Sequence, residues 1–232
     1  MTTIDPQTSL GDLVLDEPGR AELFERLGFD YCCGGSRTLA EACAQRGLDV
    51  ETVAAVLDVH RAAGPPAEHA HDWRRATTAD LCDHIVQAHH DRLRRELPVL
   101  SETLATVARV HGPREPELHD LARVFEGLRR ELEEHIEHEE QVLFPACREL
   151  EGAAAPAAAA ALLEELRDDH AQVGETLLVL RDLAGGYRAE RGRCGTYRAL
   201  LDGLRELERD LHQHIHEENN VLFPRIRGLL AA

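Results

Sequence analysis

Apolar positions recur every three or four residues along most of this chain, most regularly in its last two thirds. Leu128, Leu132, His135, Glu139 and Val142 keep one such phase, and Leu204, Leu207, Leu211, His214, Glu218 and Val221 keep another. That period marks the buried stripe of an α-helix. From Trp73 onward it predicts four long helices. The first runs from Thr77 or Thr78 to about His111, and the second from near Pro116 toward Glu149. The third runs from near Pro156 to just before Gly185-Gly186, and the fourth from about Thr196 to Gly228. Thr77 with Asp80 reads as a capping box and Pro116 as a first-turn proline. Pro98 is expected to kink the first helix, and Pro145 to kink or stop the second. The connections are short, so neighbouring helices should be antiparallel.

Residues 1–64 read as a separate small helical domain. Thr8 and Ser9 precede a short helix carrying Leu10, Leu13, Val14 and Leu15. A second spans about Pro18 to Leu27 and ends at Gly28. Asp30-Tyr31-Cys32-Cys33-Gly34-Gly35 then forms a tight loop. Ser36 or Thr38 can cap a third helix with Leu39, Ala42 and Cys43 inward, stopping near Gly47. Asp49 can cap a fourth, whose apolar face is Val53, Val56 and Leu57. Residues 65–72, after Gly64, read as a linker in which His69 and His71 are solvated. Residues 73–232 make up the bundle. The expected fold is therefore all-α, a small helical domain followed by an antiparallel four-helix bundle.

Within the bundle one stretch occurs twice. Glu134-His-Ile-Glu-His-Glu-Glu-Gln-Val-Leu-Phe-Pro145 returns as Gln213-His-Ile-His-Glu-Glu-Asn-Asn-Val-Leu-Phe-Pro224. Superposing the copies pairs His135 with His214 and Glu139 with Glu218, whereas His138 falls on Glu217 and His216 on Glu137. Residues four apart share one helix face, so each copy points an imidazole and a carboxylate the same way. Upstream, His90 and His170 stand at matched distances before the two motifs. The candidate metal ligands are thus His90, His135, Glu139, His170, His214 and Glu218. They lie in the apolar phase, where a carboxylate with no partner would be costly and a metal ion would remove that cost. His89 and Asp169, immediately before His90 and His170, are candidates to hydrogen-bond the ligands. His84, His138, His212 and His216 fall outside the repeat and are taken as non-ligands.

Composition narrows the classes. The 232 residues carry 26 Lys and Arg against 43 Asp and Glu, a net charge of −17. That excess of acid disfavours nucleic-acid binding, and no basic patch with interleaved aromatics occurs. No signal-peptide pattern opens the chain and no run of 18 apolar residues occurs, so a cytoplasmic protein with no membrane span is expected. Its six cysteines contain no Cys-x-x-Cys, which argues for reduced thiols and against a thiolate zinc site.

An all-imidazole and carboxylate set suits iron or manganese, with copper or zinc as alternatives. Six protein ligands exceed one tetrahedral zinc site. Four imidazoles, two bridging carboxylates and one oxo or hydroxo bridge would serve two metals with five bonds each. Iron favours six, leaving one labile position apiece. Such a site can bind oxygen or nitric oxide, cycle one electron per iron, or release iron.

With these motifs in place, the chain resembles the hemerythrin-like superfamily, and more closely the di-iron proteins for repair of iron–sulfur clusters. The resemblance rests on Asp30-Tyr31-Cys32-Cys33-Gly34-Gly35 with Thr38-Leu39 and Ala42, and on His90-Asp91, His135-x-x-x-Glu139, His170 and His214-Ile-x-x-Glu218-Asn-Asn-Val-Leu-Phe-Pro. Oxygen-carrying hemerythrins use more His ligands and an Asp in the last motif, so Glu218 departs from them. The resemblance implies two non-haem iron ions and a role in restoring iron–sulfur proteins after nitrosative or oxidative stress. The implied partners are damaged iron–sulfur proteins and an electron donor, with nitric oxide or oxygen at the di-iron site. Cys32 and Cys33 are candidates for thiol redox chemistry or iron transfer in an accessible loop. Two other readings stay open: a di-iron nitric oxide reductase or peroxidase, and an oxygen or iron sensor.

Overall fold

A computed structural model describes residues 4–63, 73–150, 158–189 and 194–230. The expected linker 65–72, with His69 and His71, and the expected helix start at Pro156 lie outside the described residues. Four short helices come first: α1 (Leu10–Asp16), α2 (Arg20–Leu27), α3 (Leu39–Arg46) and α4 (Val50–Ala63). Their boundaries follow local chemistry. The Ser9 hydroxyl accepts from the Asp12 amide at the start of α1, and Thr38 and Glu41 form a full capping box on α3. Asp49 accepts from the Thr52 amide, and Gly28 and Gly47 close α2 and α3 in the left-handed region.

Four long helices follow, three of them interrupted by one π-helical turn. Helix α5 runs Thr78–Ile85, widens at Val86–His90 and resumes over Asp91–His111. Helix α6 runs Glu117–His138, widens at Glu139–Leu143 and continues over Phe144–Leu150. Helix α7 is Ala158–Leu183. Helix α8 runs Gly195–Glu217, widens at Glu218–Leu222 and continues over Phe223–Leu230. Each of α5 and α7 packs against both α6 and α8, which closes a four-helix bundle. The chain passes through Pro98 and Pro145 without leaving the helix, so Pro145 does not stop α6.

Proline explains two of the three widened turns. Pro145 and Pro224 have no N–H to give the carbonyls of Gln141 and Asn220, and their rings push against those carbonyls. The turn ahead of each proline opens, and the Phe144 and Phe223 amides bond back five residues to Glu139 and Glu218. The extra residue shifts the helical phase. Val142, expected inward, is exposed and Leu143 is buried, whereas at the matching turn of α8 both Val221 and Leu222 are buried. The third widened turn, Val86–His90, contains no proline. Val56 on α4 was also expected inward. It is exposed, and Val53, Ala54 and Leu57 form the buried face.

The apolar interior consists of two clusters. The larger joins the bundle side chains Leu93, Leu97, Phe125, Leu128, Leu177, Leu204 and Leu211 to Leu10, Phe24, Tyr31 and Leu57 of the first helices. The core of α1–α4 is thus continuous with that of the bundle. The smaller cluster holds Leu81, Ile85, Leu143, Phe144, Leu163, Leu166, Leu222 and Phe223. Between them lies a layer of buried polar side chains. Among the described residues no helix is long and apolar enough to cross a membrane.

Candidate metal centre

The six side chains singled out by the repeat form that polar layer. The first stretch of α5 ends in His90, the late part of α6 brings His135 and Glu139, α7 brings His170, and the late part of α8 brings His214 and Glu218. All six are buried, and His135 is the most exposed at 8%. They fall into two groups of four that share both carboxylates: His90, His214, Glu139 and Glu218, and His135, His170, Glu139 and Glu218. Within the groups, the Nε2 atoms of His90 and His214 are 3.3 Å apart, and those of His135 and His170 are 3.2 Å apart.

Each carboxylate divides its oxygens between the groups. Glu139 Oε2 lies 3.3 Å from His90 Nε2, and its Oε1 lies 3.2 Å from His135 Nε2. Glu218 Oε1 lies 3.3 Å from His214 Nε2, and its Oε2 lies 3.1 Å from His170 Nε2. None of these four oxygens has a hydrogen-bond partner of acceptable geometry. Buried carboxylate oxygens without partners are expensive, and paired imidazole nitrogens facing one another gain little. A cation in each group of four would resolve both, so the donor set fits two metal ions of the imidazole and carboxylate class.

The charges of the protein alone are consistent with this. Burial opposes a charge on His135, but Glu139 outweighs it and lifts that imidazole to about 9. Burial likewise opposes a charge on His90, and Glu139 again prevails to raise it. Burial pushes Glu218 up, yet His214 and His170 hold its carboxyl well below the ordinary range. His214 goes the other way, because burial dominates and favours its neutral form.

The outer nitrogens reveal residues that pattern reading missed. His90 Nδ1 is 2.8 Å from Glu140 Oε1, and Arg94 lies 2.9 Å from the same oxygen. His170 Nδ1 is 3.0 Å from Asn219 Oδ1. An N–H donated at Nδ1 leaves the Nε2 lone pair facing the group of four. Glu140 and Asn219 each follow a motif Glu, so the repeat itself carried the signal. Asp169 is more distant, 3.9 Å from His135 Nδ1. His89 stacks on His214 at 5.2 Å and bonds Asp210, so both residues lie against ligands, His89 by ring contact and Asp169 by a long ion pair. Phe144 lies parallel to His90 and Phe223 to His170, each pair 5.6 Å apart. A cleft of about 280 Å³ lined by Glu131, Glu134, His138, Asp169, Gln172 and Val173 ends on His135.

The Cys32-Cys33 loop sits against this centre. Asn220 Nδ2 donates to the Tyr31 and Cys32 carbonyls at 3.2 and 3.1 Å, and Asn219 Nδ2 to that of Cys32 at 3.4 Å. His216, outside both groups of four, is fully buried with Nδ1 3.3 Å from the Tyr31 carbonyl. Cys33 Sγ lies 3.5 Å from the carbonyl oxygen of His170. The accessible loop foreseen from the sequence is only half so: Cys33 is partly exposed and Cys32 is buried. The Cys33 thiol and then burial hold the Cys32 thiol well above its ordinary range, so it is neutral. Gly35 permits this approach, since a Cβ there would stand 2.3 Å from Asn220 Oδ1 and 2.6 Å from the Tyr31 carbonyl. Gly35→Ala is expected to unseat the loop at a cost of about 2 kcal/mol, lowering the melting midpoint by roughly 4–8 °C. An unchanged midpoint in differential scanning calorimetry would mean that the loop does not dock on α8.

Residues 81–226 match the hemerythrin HHE cation-binding domain, and residues 6–60 match a domain of unknown function designated ScdA_N. The iron-sulfur cluster repair protein YtfE of Pectobacterium atrosepticum is 38% identical over 221 residues, spanning 95% of this chain and 97% of its own. Proteins of the same name from Citrobacter koseri and Escherichia coli are 38% identical over 216 residues, spanning 93% of this chain and 94% of theirs.

Proposed function

We infer the function of a chain that belongs to the hemerythrin HHE cation-binding family and, within it, to the iron–sulfur cluster repair proteins. It restores iron–sulfur clusters, and we assign that work to a centre in which its six buried side chains hold two iron ions. One observation carries the assignment: each of two buried carboxylates presents one oxygen to each of two imidazole pairs. His90 and His214 would hold one ion, His135 and His170 the other, with Glu139 and Glu218 shared between them. Bound there, two iron ions supply one-electron redox chemistry and a releasable store of iron.

The protein's own contribution is to position and to insulate. Glu140 and Asn219 hold the outer nitrogens of His90 and His170, which aims the Nε2 atoms of both rings inward. Arg94 keeps Glu140 ionised against the pull of burial. Phe144 and Phe223 cover the outer faces of His90 and His170, and the two apolar clusters exclude water on both sides. The cleft ending at His135 is the path we assign to small molecules and to iron. Cys33, half-exposed and touching the backbone of the ligand-bearing α7, is the thiol placed to meet an incoming cluster. We place this reaction in the cytoplasm, on clusters damaged by nitric oxide or oxidants, with electrons from a separate donor.

The test is iron content and Mössbauer spectroscopy of protein purified without oxygen, joined to an assay of a nitric-oxide-damaged iron–sulfur enzyme. We expect about two iron atoms per chain in a coupled pair, and recovery of the damaged enzyme. One iron per chain, or zinc as the main metal after iron-replete growth, would overturn the dinuclear assignment. Steady catalytic consumption of nitric oxide without repair would overturn the repair assignment.

A further inference from the structure

Beside the six-residue centre, and sharing none of its ligands, lies a second convergence of metal-binding atoms. His84, His89 and Glu217 bring two imidazole nitrogens and one carboxylate oxygen within 4.8 Å of one another. His84 Nε2 is 3.3 Å from Glu217 Oε2, and His89 Nε2 is 3.5 Å from the same oxygen. Two ligand atoms bound tetrahedrally at about 2.0–2.1 Å from zinc stand about 3.3 Å apart, so the two separations from Glu217 Oε2 match edges of a zinc-sized tetrahedron. His89 Nε2 and Glu217 Oε2 are both buried, and neither has a hydrogen-bond partner of acceptable geometry.

The remaining atoms of these groups are already committed in the way a metal site requires. His89 Nδ1 is 3.1 Å from Asp210 Oδ1, which is also held by Arg92 at 3.1 Å. That bond directs the His89 Nε2 lone pair toward Glu217. Glu217 Oε1 accepts from Gln213 Nε2 at 2.8 Å, leaving Oε2 for the convergence point. The His84 ring packs against Trp73, with centroids 4.0 Å apart and planes tilted by 30°. His84 is the outermost of the three, about a third exposed, while His89 and Glu217 are buried. A fourth position therefore opens toward solvent on the His84 side.

We propose that His84, His89 and Glu217 form a third, mononuclear site for a divalent cation of the zinc or ferrous class. Two imidazoles and a carboxylate are the ligand types such ions prefer, with water completing the shell. The site stands between solvent and the centre, because His89 stacks on His214 and precedes His90 in the chain. It shares no ligand with the six-residue centre, so its occupancy does not depend on which metals the centre holds.

The probe is Zn²⁺ itself, added at micromolar concentration to iron-loaded full-length protein, followed by desalting and elemental analysis. Wild type is expected to retain one more metal ion per chain than His84→Ala, with the iron content the same in both. His84→Phe preserves a ring against Trp73 while removing the nitrogens, and it should lose the same ion. Circular dichroism should show both variants folded, because His84 lies at the edge of the layer. Equal metal content in wild type and both variants would overturn the proposal, whether the zinc is retained elsewhere or not retained at all. Zinc that merely displaces iron at constant total metal would overturn it too. The wild-type minus variant difference is read independently of how many irons the centre holds, so failure of the dinuclear assignment remains distinguishable.

Discussion

Glu139→Ala is expected to cut the iron content of anaerobically purified protein from about two ions per chain to below one, a loss spanning both half-sites. One carboxylate serves both groups of four, because Oε2 faces His90 and Oε1 faces His135. Removing it therefore takes an anionic donor from each. Glu218→Ala should match it, since that residue spans His214 and His170. His135→Ala and His214→Ala each take one imidazole from one group only and are expected to lose iron less completely. The apo fold should survive the loss of Glu139, because the imidazoles it raises simply return to neutrality without it. His138→Ala is the control. That side chain lines the cleft beside His135 and belongs to neither group. Iron loss in His138→Ala equal to that in Glu139→Ala would show that the repeat chose the wrong residues.

The second large effect separates iron holding from repair. A Cys32→Ala/Cys33→Ala variant should retain its iron and its Mössbauer spectrum, because neither sulfur belongs to the two groups of four and Cys33 touches only the backbone of His170. Its activity on a nitric-oxide-damaged iron–sulfur enzyme should fall about tenfold or more, which is at least ~1.4 kcal/mol of lost transition-state stabilisation. The single variants sharpen this. Cys32 is buried and held neutral, whereas Cys33 is partly exposed and touches the His170 carbonyl. Cys33→Ala alone should therefore account for most of the loss, and Cys32→Ala for little. Full repair by the double variant would reduce the pair to packing, and loss of iron would make it part of the centre's support.

The six central side chains were legible because a duplicated sequence filters its own histidines. His138 and His216 fail the superposition, and the structure leaves them outside both groups. Glu140 and Asn219 were equally repeated, but a Glu aligned with an Asn does not look conserved in kind, although both accept from a histidine Nδ1. The widened turns were not legible from periodicity. A proline's missing N–H predicts a local fault, yet whether the helix breaks, bends or slips by one residue depends on what packs around it. Across the same widened turn Val142 is exposed and its counterpart Val221 is buried. The docking of the Cys loop was hidden for another reason. It joins Tyr31 and Cys32 to Asn220 across most of the chain, and no local pattern reports a contact at that separation.

The exchange of ligands between halves bears on how such a protein could have arisen. Each imidazole pair takes one ring from α5–α6 and one from α7–α8: His90 with His214, and His135 with His170. A single hairpin thus owns no complete group of four, but two identical hairpins related by a twofold axis would own both. A symmetric dimer of one hairpin and a tandem fusion of two satisfy that geometry equally. The halves differ where the ligands do not enforce symmetry: α8 carries Asn219 and Asn220 and receives the docked Cys loop, whereas α6 carries Glu140 and borders the cleft.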